Sequence, residues 1–210
     1  MHPYLTRLGI MPEVQMYFRP FYVSDALGNL VFPYGEDLEH FGFAFHRVPA
    51  TDAFWMAGNL HFRQAGLVIL SASALDAIAW LNKKLDSFPQ TGNLLFLSLG
   101  AGISGAQLHW IRAHLQGKSF RVIFSRDVLG RMADLKLAAG IRGWPLSVYG
   151  GDDERVVVNF RAKLFSFSQE NFSLAAFERA AGIRFAIAAL KPKYYNSFFE
   201  ELKAEAGLLI

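Results

Sequence analysis

Three uninterrupted apolar runs, at 67–71, 93–99 and 120–125, constrain this chain more than anything else in it, because each is followed by a turn and a helical pattern. A strand with one wet face alternates apolar and polar residues. These runs are apolar at nearly every position, as strands buried on both faces are. Strand and helix in alternation predict an α/β fold, a Rossmann-type parallel sheet flanked by helices. The helix after the second run has a clear start, since Ser104 and Gln107 have capping-box spacing. Leu108, Trp110, Ile111 and Leu115 give it a buried stripe. Met132, Leu135 and Leu137 mark the next helix, which Gly140 is expected to end, and PLSVYGG (145–151) reads as a fourth strand.

Ahead of this region the texture differs. Leu5, Leu8, Ile10, Val14 and Phe18 suggest two short helical pieces separated by Gly9 and Pro12. GNLVFPYG (28–35) reads as a strand, and FGFAFHRV (41–48) as its neighbour, with Phe41, Phe43 and Phe45 on one side. We therefore divide the chain into a small N-terminal α+β subdomain, 1–64, and an α/β domain, 65–210. Within the latter, 151–190 looks like an insertion. Residues 155–168 form one long β pattern, with Val156, Val158, Phe160, Ala162 and Leu164 inward and Arg155, Arg161 and Lys163 on the opposite, basic face. Helices at 173–190 and 196–206 are expected to complete the chain.

Hydrophobic content of 52% with 20 Phe supplies a large core and excludes a disordered chain. With no cysteine there is neither a disulfide nor a thiolate zinc site. The first 21 residues carry Arg7, Glu13 and Arg19 and lack the apolar stretch of a signal peptide, so a cytoplasmic location with no membrane partner is expected. A net charge of +3 is compatible with nucleic acid without requiring it.

The segments VILSASALDAIA (68–79), LLFLSLGAGISGAQL (94–108) and FRVIFSRDVLGRMADLKL (120–137) are spaced as in the Toprim domain, which this chain resembles. YLTRLGI (4–10), YFRPFY (17–22), NLVFPYG (29–35) and FAFHRV (43–48) follow in the order seen ahead of Toprim in bacterial DNA primases. KPKYYNSFFEEL (191–202) is similar to the closing P-x-K-D-W-N element of Toprim-like proteins. The resemblance implies a Toprim-like sheet with a primase-core-like N-terminal portion. It also implies a Mg²⁺ site made of a Glu after the first strand, an Asp four residues on, and D-x-D after the third strand. Here Ala72 stands at the Glu position, Ser125 at the first Asp of D-x-D and Tyr194 at a third acidic position, while Asp76 and Asp127 remain.

Mg²⁺ prefers hard, charged oxygen ligands, and Ala72 has none to give. The resemblance thus implies a degenerate, non-catalytic module that binds DNA or RNA in replication or in a mobile element. Arg126, Arg131, Arg161, Lys163 and Lys193 are the candidate phosphate contacts. Two alternatives stay open. One is a nuclease or nucleotidyl transferase with a reduced site, using Asp76 and Asp127 as weak metal ligands, with Mg²⁺ needed only in that case. The other is a protein-interaction module presenting Tyr194, Tyr195, Phe198 and Phe199. Asp76 reads equally as an acid in the first turn of a helix, and Asp127 as a strand-to-helix cap. GAGISG (100–105) lacks the lysine of a phosphate-binding loop and reads as a tight connection. His109 and His114 stand too far around a helix to share an ion.

Overall fold

The computed structural model describes residues 1–88, 90–150 and 154–208. The chain opens with α1 (Pro3–Arg7) and α2 (Pro12–Phe18), each with proline in its first turn, where a missing N–H costs nothing. A four-stranded antiparallel sheet follows: β1 (Val23–Ser24), β2 (Leu30–Tyr34), β3 (Asp37–Gly42) and β4 (Phe45–Arg47). The expected strand at 41–48 is therefore two strand ends joined by a turn at Phe43 and Ala44. Phe41 stays half-buried, while Phe43 is 74% and Phe45 45% exposed, so the three rings do not share a buried side.

The second sheet begins with β5 (Trp55–Gly58) and continues through β6 (Leu67–Ser71), α3 (Ala74–Lys84), β7 (Leu94–Ser98), α4 (Gly105–His114), β8 (Ser119–Val122) and α5 (Val128–Arg142). Its last strand is β12 (Ile187–Ala189), and the spatial order is β12-β8-β6-β7-β5. β12, β8, β6 and β7 run parallel, with β5 antiparallel at the edge. Alternate side chains leave on opposite faces. Ile69 and Phe96 join a core with α2, α3, α7 (Phe198–Glu205) and the N-terminal sheet. Val68, Leu70, Leu95 and Leu97 join a second core with α4 and α5. Two covered faces are why the strands are apolar throughout, and the α/β expectation holds.

The capping box at Ser104 forms as expected, Gln107 N–H reaching Ser104 Oγ at 3.1 Å and Ser104 N–H reaching Gln107 Oε1 at 2.9 Å. Gly140 does not end α5. It lies inside the helix, where Leu108 of α4 packs onto its bare Cα, and the helix stops at Gly143 in the left-handed region. Residues 146–150 are β9 (Leu146–Gly150), which is not a strand of the parallel sheet. β9 pairs with β10 (Arg155–Phe160), which pairs with β11 (Lys163–Ser168), in a separate antiparallel sheet. Its exposed Ser147 and Tyr149 around buried Val148 are the alternation of a one-faced strand. Residue 151, the end of that expected strand and the start of the insertion, lies outside the described residues. The long β pattern at 155–168 is a hairpin, and Leu164 points out, 68% exposed. The helix expected at 173–190 is only α6 (Leu174–Ala181), capped by Gly182 in the left-handed region, after which the chain extends into β12.

The β10–β11 turn places Arg161 and Ala162 at φ of 52° and 59°, a conformation unfavourable for side chains with a Cβ. Ala162→Gly is expected to stabilise the protein by about 0.5–1 kcal/mol, read as a higher urea midpoint with unchanged slope.

Candidate nucleic-acid interface at the strand ends

After β6 the chain crosses to β7 on one side, and after β7 it crosses back past β6 to β8. That reversal falls at the C-terminal ends of β6 and β8, the usual ligand position in open α/β sheets, and here residues 191–199 pack across it. The sequence-selected positions lie on either side of it, on a β6 wall and a β8 wall.

On the β6 wall, Ala72 is half-buried and its carbonyl accepts from Gly100 N–H at 2.9 Å. Ser73 caps α3, its hydroxyl accepting from Asp76 N–H at 3.1 Å and donating to Asp76 Oδ2 at 2.9 Å. Asp76 Oδ1 accepts from Phe199 N–H at 3.1 Å, tying α3 to the start of α7. Although part of Asp76 remains at the surface, its carboxylate is enclosed, and burial pushes it above the ordinary value against the hydrogen bonds from Phe199, Ser73 and Ser197.

On the β8 wall, Asp127 caps α5, taking Gly130 N–H on Oδ1 at 2.8 Å and the Ser125 hydroxyl on the same oxygen at 2.9 Å. Asn196 completes the cap from across the fold: its Nδ2 donates to Asp127 Oδ2 at 2.9 Å and its Oδ1 accepts from Asp127 N–H at 3.0 Å. Burial pushes Asp127 upward. Hydrogen bonds from Gly130, Asn196 and Ser125, with the Lys191 ammonium nearby, outweigh it and hold the carboxyl below its ordinary value.

A buried ion pair stands on this wall. Lys191 Nζ lies 2.6 Å from Asp134 Oδ2 and donates to the carbonyls of Phe124 at 3.1 Å and Ser125 at 2.9 Å. Asp134 is 1% exposed and its Oδ1 has no partner among the described residues. Burial raises Asp134 to about 6 despite Lys191, and the same burial lowers Lys191 despite Asp134. Both shifts mean that taking the pair out of water costs more than its attraction returns.

Such donors suit Mg²⁺ poorly. Ala72 offers no ligand atom, each remaining carboxylate already holds a helix start, and Lys191 places positive charge beside Asp127. Among the described residues no group of three or more His, Asp or Glu is arranged to hold a metal ion. Asp76 lies in the first turn of α3, and Asp127 is the N-cap of α5.

The basic candidates fall into separate places. Arg126 and Lys193 meet beside the β8 wall: both are exposed, Arg126 Nη1 donates to the Lys193 carbonyl at 2.7 Å, and Arg126 N–H donates to the Asn196 carbonyl at 2.7 Å. Lys193 Nζ sits 4.8 Å from the ring centroid of Tyr194, which is 70% exposed. Arg131 is half-buried and its Nη1 donates to the carbonyls of Glu170 and Phe172, each at 3.0 Å. Arg161 and Lys163 lie at the turn of the β10–β11 hairpin, Arg161 over the rings of Trp144 and Phe160. Lys191, next to Lys193 in sequence, is held in the ion pair with Asp134. Of the four aromatics near the C-terminus, Phe198 and Phe199 are core, and Tyr194 and Tyr195 are exposed.

Three residues escaped the sequence reading of the site. Asp134 carried a faint signal as a lone acid among the apolar positions of a helix. Asn196 matched a family element but gave no hint of its partner. Glu39, 0% exposed, reaches from β3 to the start of α3, where Ala74 N–H donates to its Oε2 at 2.8 Å. Among the described residues no helix is long and apolar enough to cross a membrane. No family model, curated protein or solved structure matches this chain.

Proposed function

We propose that this chain is a non-catalytic Toprim-like, primase-related module that binds single-stranded nucleic acid at the ends of β6 and β8. The observation supporting it is the exposed set of Arg126, Lys193 and Tyr194 at the strand ends, beside two carboxylates committed to helix starts. Arg126 and Lys193 contact successive phosphates, and the Tyr194 ring offers a face on which a base stacks. The family's acids are replaced or engaged, so binding proceeds without metal and no phosphoryl group is transferred. Arg131 holds the loop at 170–172 against α5 and supports the β8 wall without meeting the ligand.

Fluorescence anisotropy with a labelled single-stranded oligonucleotide tests this. The account expects salt-sensitive binding, with R126A/K193A reducing the log–log salt slope by about 1.4, the loss of two single-strand phosphate contacts. Tyr194→Ala is expected to weaken binding by about 1–3 kcal/mol with the slope unchanged, because stacking is not screened by salt. A wild-type slope near zero would sink the proposal.

A further inference from the structure

On another side of α7, that helix, α1 and the β3–β4 turn line a cavity of about 610 Å³. Its walls are the rings of Phe41, Phe43, Phe45 and Phe199, two of them the strongly exposed phenylalanines of the turn. Two cations line it as well. The Arg7 guanidinium lies 5.4 Å from the Phe43 ring centroid, and the Lys203 ammonium 5.4 Å from that of Phe199. Among the described residues no Asp or Glu lines the cavity and neither cation pairs with a carboxylate. An apolar pocket whose charged lining, among the described residues, is Arg7 and Lys203 favours an anion with an apolar body.

The wall is also fixed from behind. His46 lines the cavity, and its Nε2 lies 2.9 Å from Oε1 of the fully buried Glu39. Phe41 and Phe199 pack edge-on against the imidazole, with centroids 5.7 and 5.4 Å away. Little ordering of these side chains is left for a ligand to impose, which favours binding.

We infer that this pocket binds a small amphipathic monoanion, a medium-chain acyl or aryl carboxylate, with its apolar body among the phenylalanine rings and its carboxylate between Arg7 and Lys203. The inference is independent of the nucleic-acid proposal and shares no residue with it.

The test uses the fluorescent anion 8-anilinonaphthalene-1-sulfonate as reporter and decanoate, decanol and decyltrimethylammonium as competitors. Saturable reporter binding is expected, with decanoate displacing it at least about tenfold better than decanol, the increment of one charge-assisted contact. R7Q/K203Q is expected to remove that preference while leaving decanol unaffected and the urea midpoint unchanged. Ala44→Glu, an acid added at the exposed turn, provides a second variant should the first fold poorly; with Arg7 and Lys203 still in place it is expected to reduce the preference for decanoate over decanol without reversing it. Equal displacement by all three competitors, or no saturable binding, overturns the inference. So does reporter binding that falls with protein concentration as a dimer appears in sedimentation, because the pocket is then covered by a second copy.

Discussion

Glu39→Leu is expected to lower the unfolding free energy by about 4 kcal/mol or more, a large part of the 5–15 kcal/mol that holds a typical domain. The two side chains have similar bulk, so the loss is of acceptors and little of packing. Tyr34 Oη donates to Oε2 at 2.6 Å and Ala74 N–H to the same oxygen at 2.8 Å, while His46 Nε2 lies 2.9 Å from Oε1. Leucine leaves the Tyr34 hydroxyl and the Ala74 N–H facing hydrocarbon, while His46, on the pocket side, can turn to water. Glu39→Gln is the informative companion. Its amide oxygen can keep Tyr34 and Ala74, and its NH₂ can donate to His46 if the imidazole shifts its proton to Nδ1. The Gln variant should therefore lose about half as much as the Leu variant by urea unfolding. Equal losses would mean that the charge of the carboxylate, and not the placement of its acceptors, holds the N-terminal sheet to α3.

Gly130→Ala is expected to cost about 3 kcal/mol, the upper range for forcing extra atoms into a packed site. Gly130 is in the first turn of α5 with ordinary helical dihedrals, so conformational freedom is not its purpose. A Cβ there would fall inside the contact radius of the Ser125 carbonyl and hydroxyl oxygens. To admit it, α5 must back away from the end of β8, which pulls Asp127 from Asn196 and loosens the β8 wall. Oligonucleotide binding should weaken along with stability. Gly102→Ala is the matched control, since nothing lies within 4 Å of its Cβ position, and it should stay within about 0.5 kcal/mol of wild type.

The parallel core was legible because burial on both faces leaves a local mark: at β6 and β7 each residue must be apolar whichever way it points. The capping box at Ser104 was legible for the same reason, its two partners being three residues apart. What misled was pattern that continues across a reversal. Val156, Val158 and Phe160 alternate inward, and the rhythm runs on through Ala162 to Leu164, with Arg161 and Ala162, neither glycine nor asparagine, at the turn itself. After the turn the phase changes, so Phe165 and Phe167 pack inward and Leu164 faces water. At 183–189 a short apolar run fits helix or strand equally, and pairing with β8 decides it.

The site was legible at Ser125, Asp127 and Asp76 as positions, and not as a network. Lys191 finds Asp134, Asn196 finds Asp127, and Glu39 finds Ala74 only once the chain has folded, and no spacing rule connects them. These distant partners tie the acids to helix starts and strand ends.

The measurement that bears most directly on that central claim is anisotropy of a labelled single-stranded oligonucleotide with the wild-type protein, in EDTA and again in millimolar Mg²⁺ at matched ionic strength. The account predicts the same dissociation constant in both, with the oligonucleotide recovered uncut and unextended. Binding that appears only with Mg²⁺, or a strand that is cleaved or lengthened when Mg²⁺ is added, would contradict it, because Asp76 and Asp127 would then be ligands and not caps.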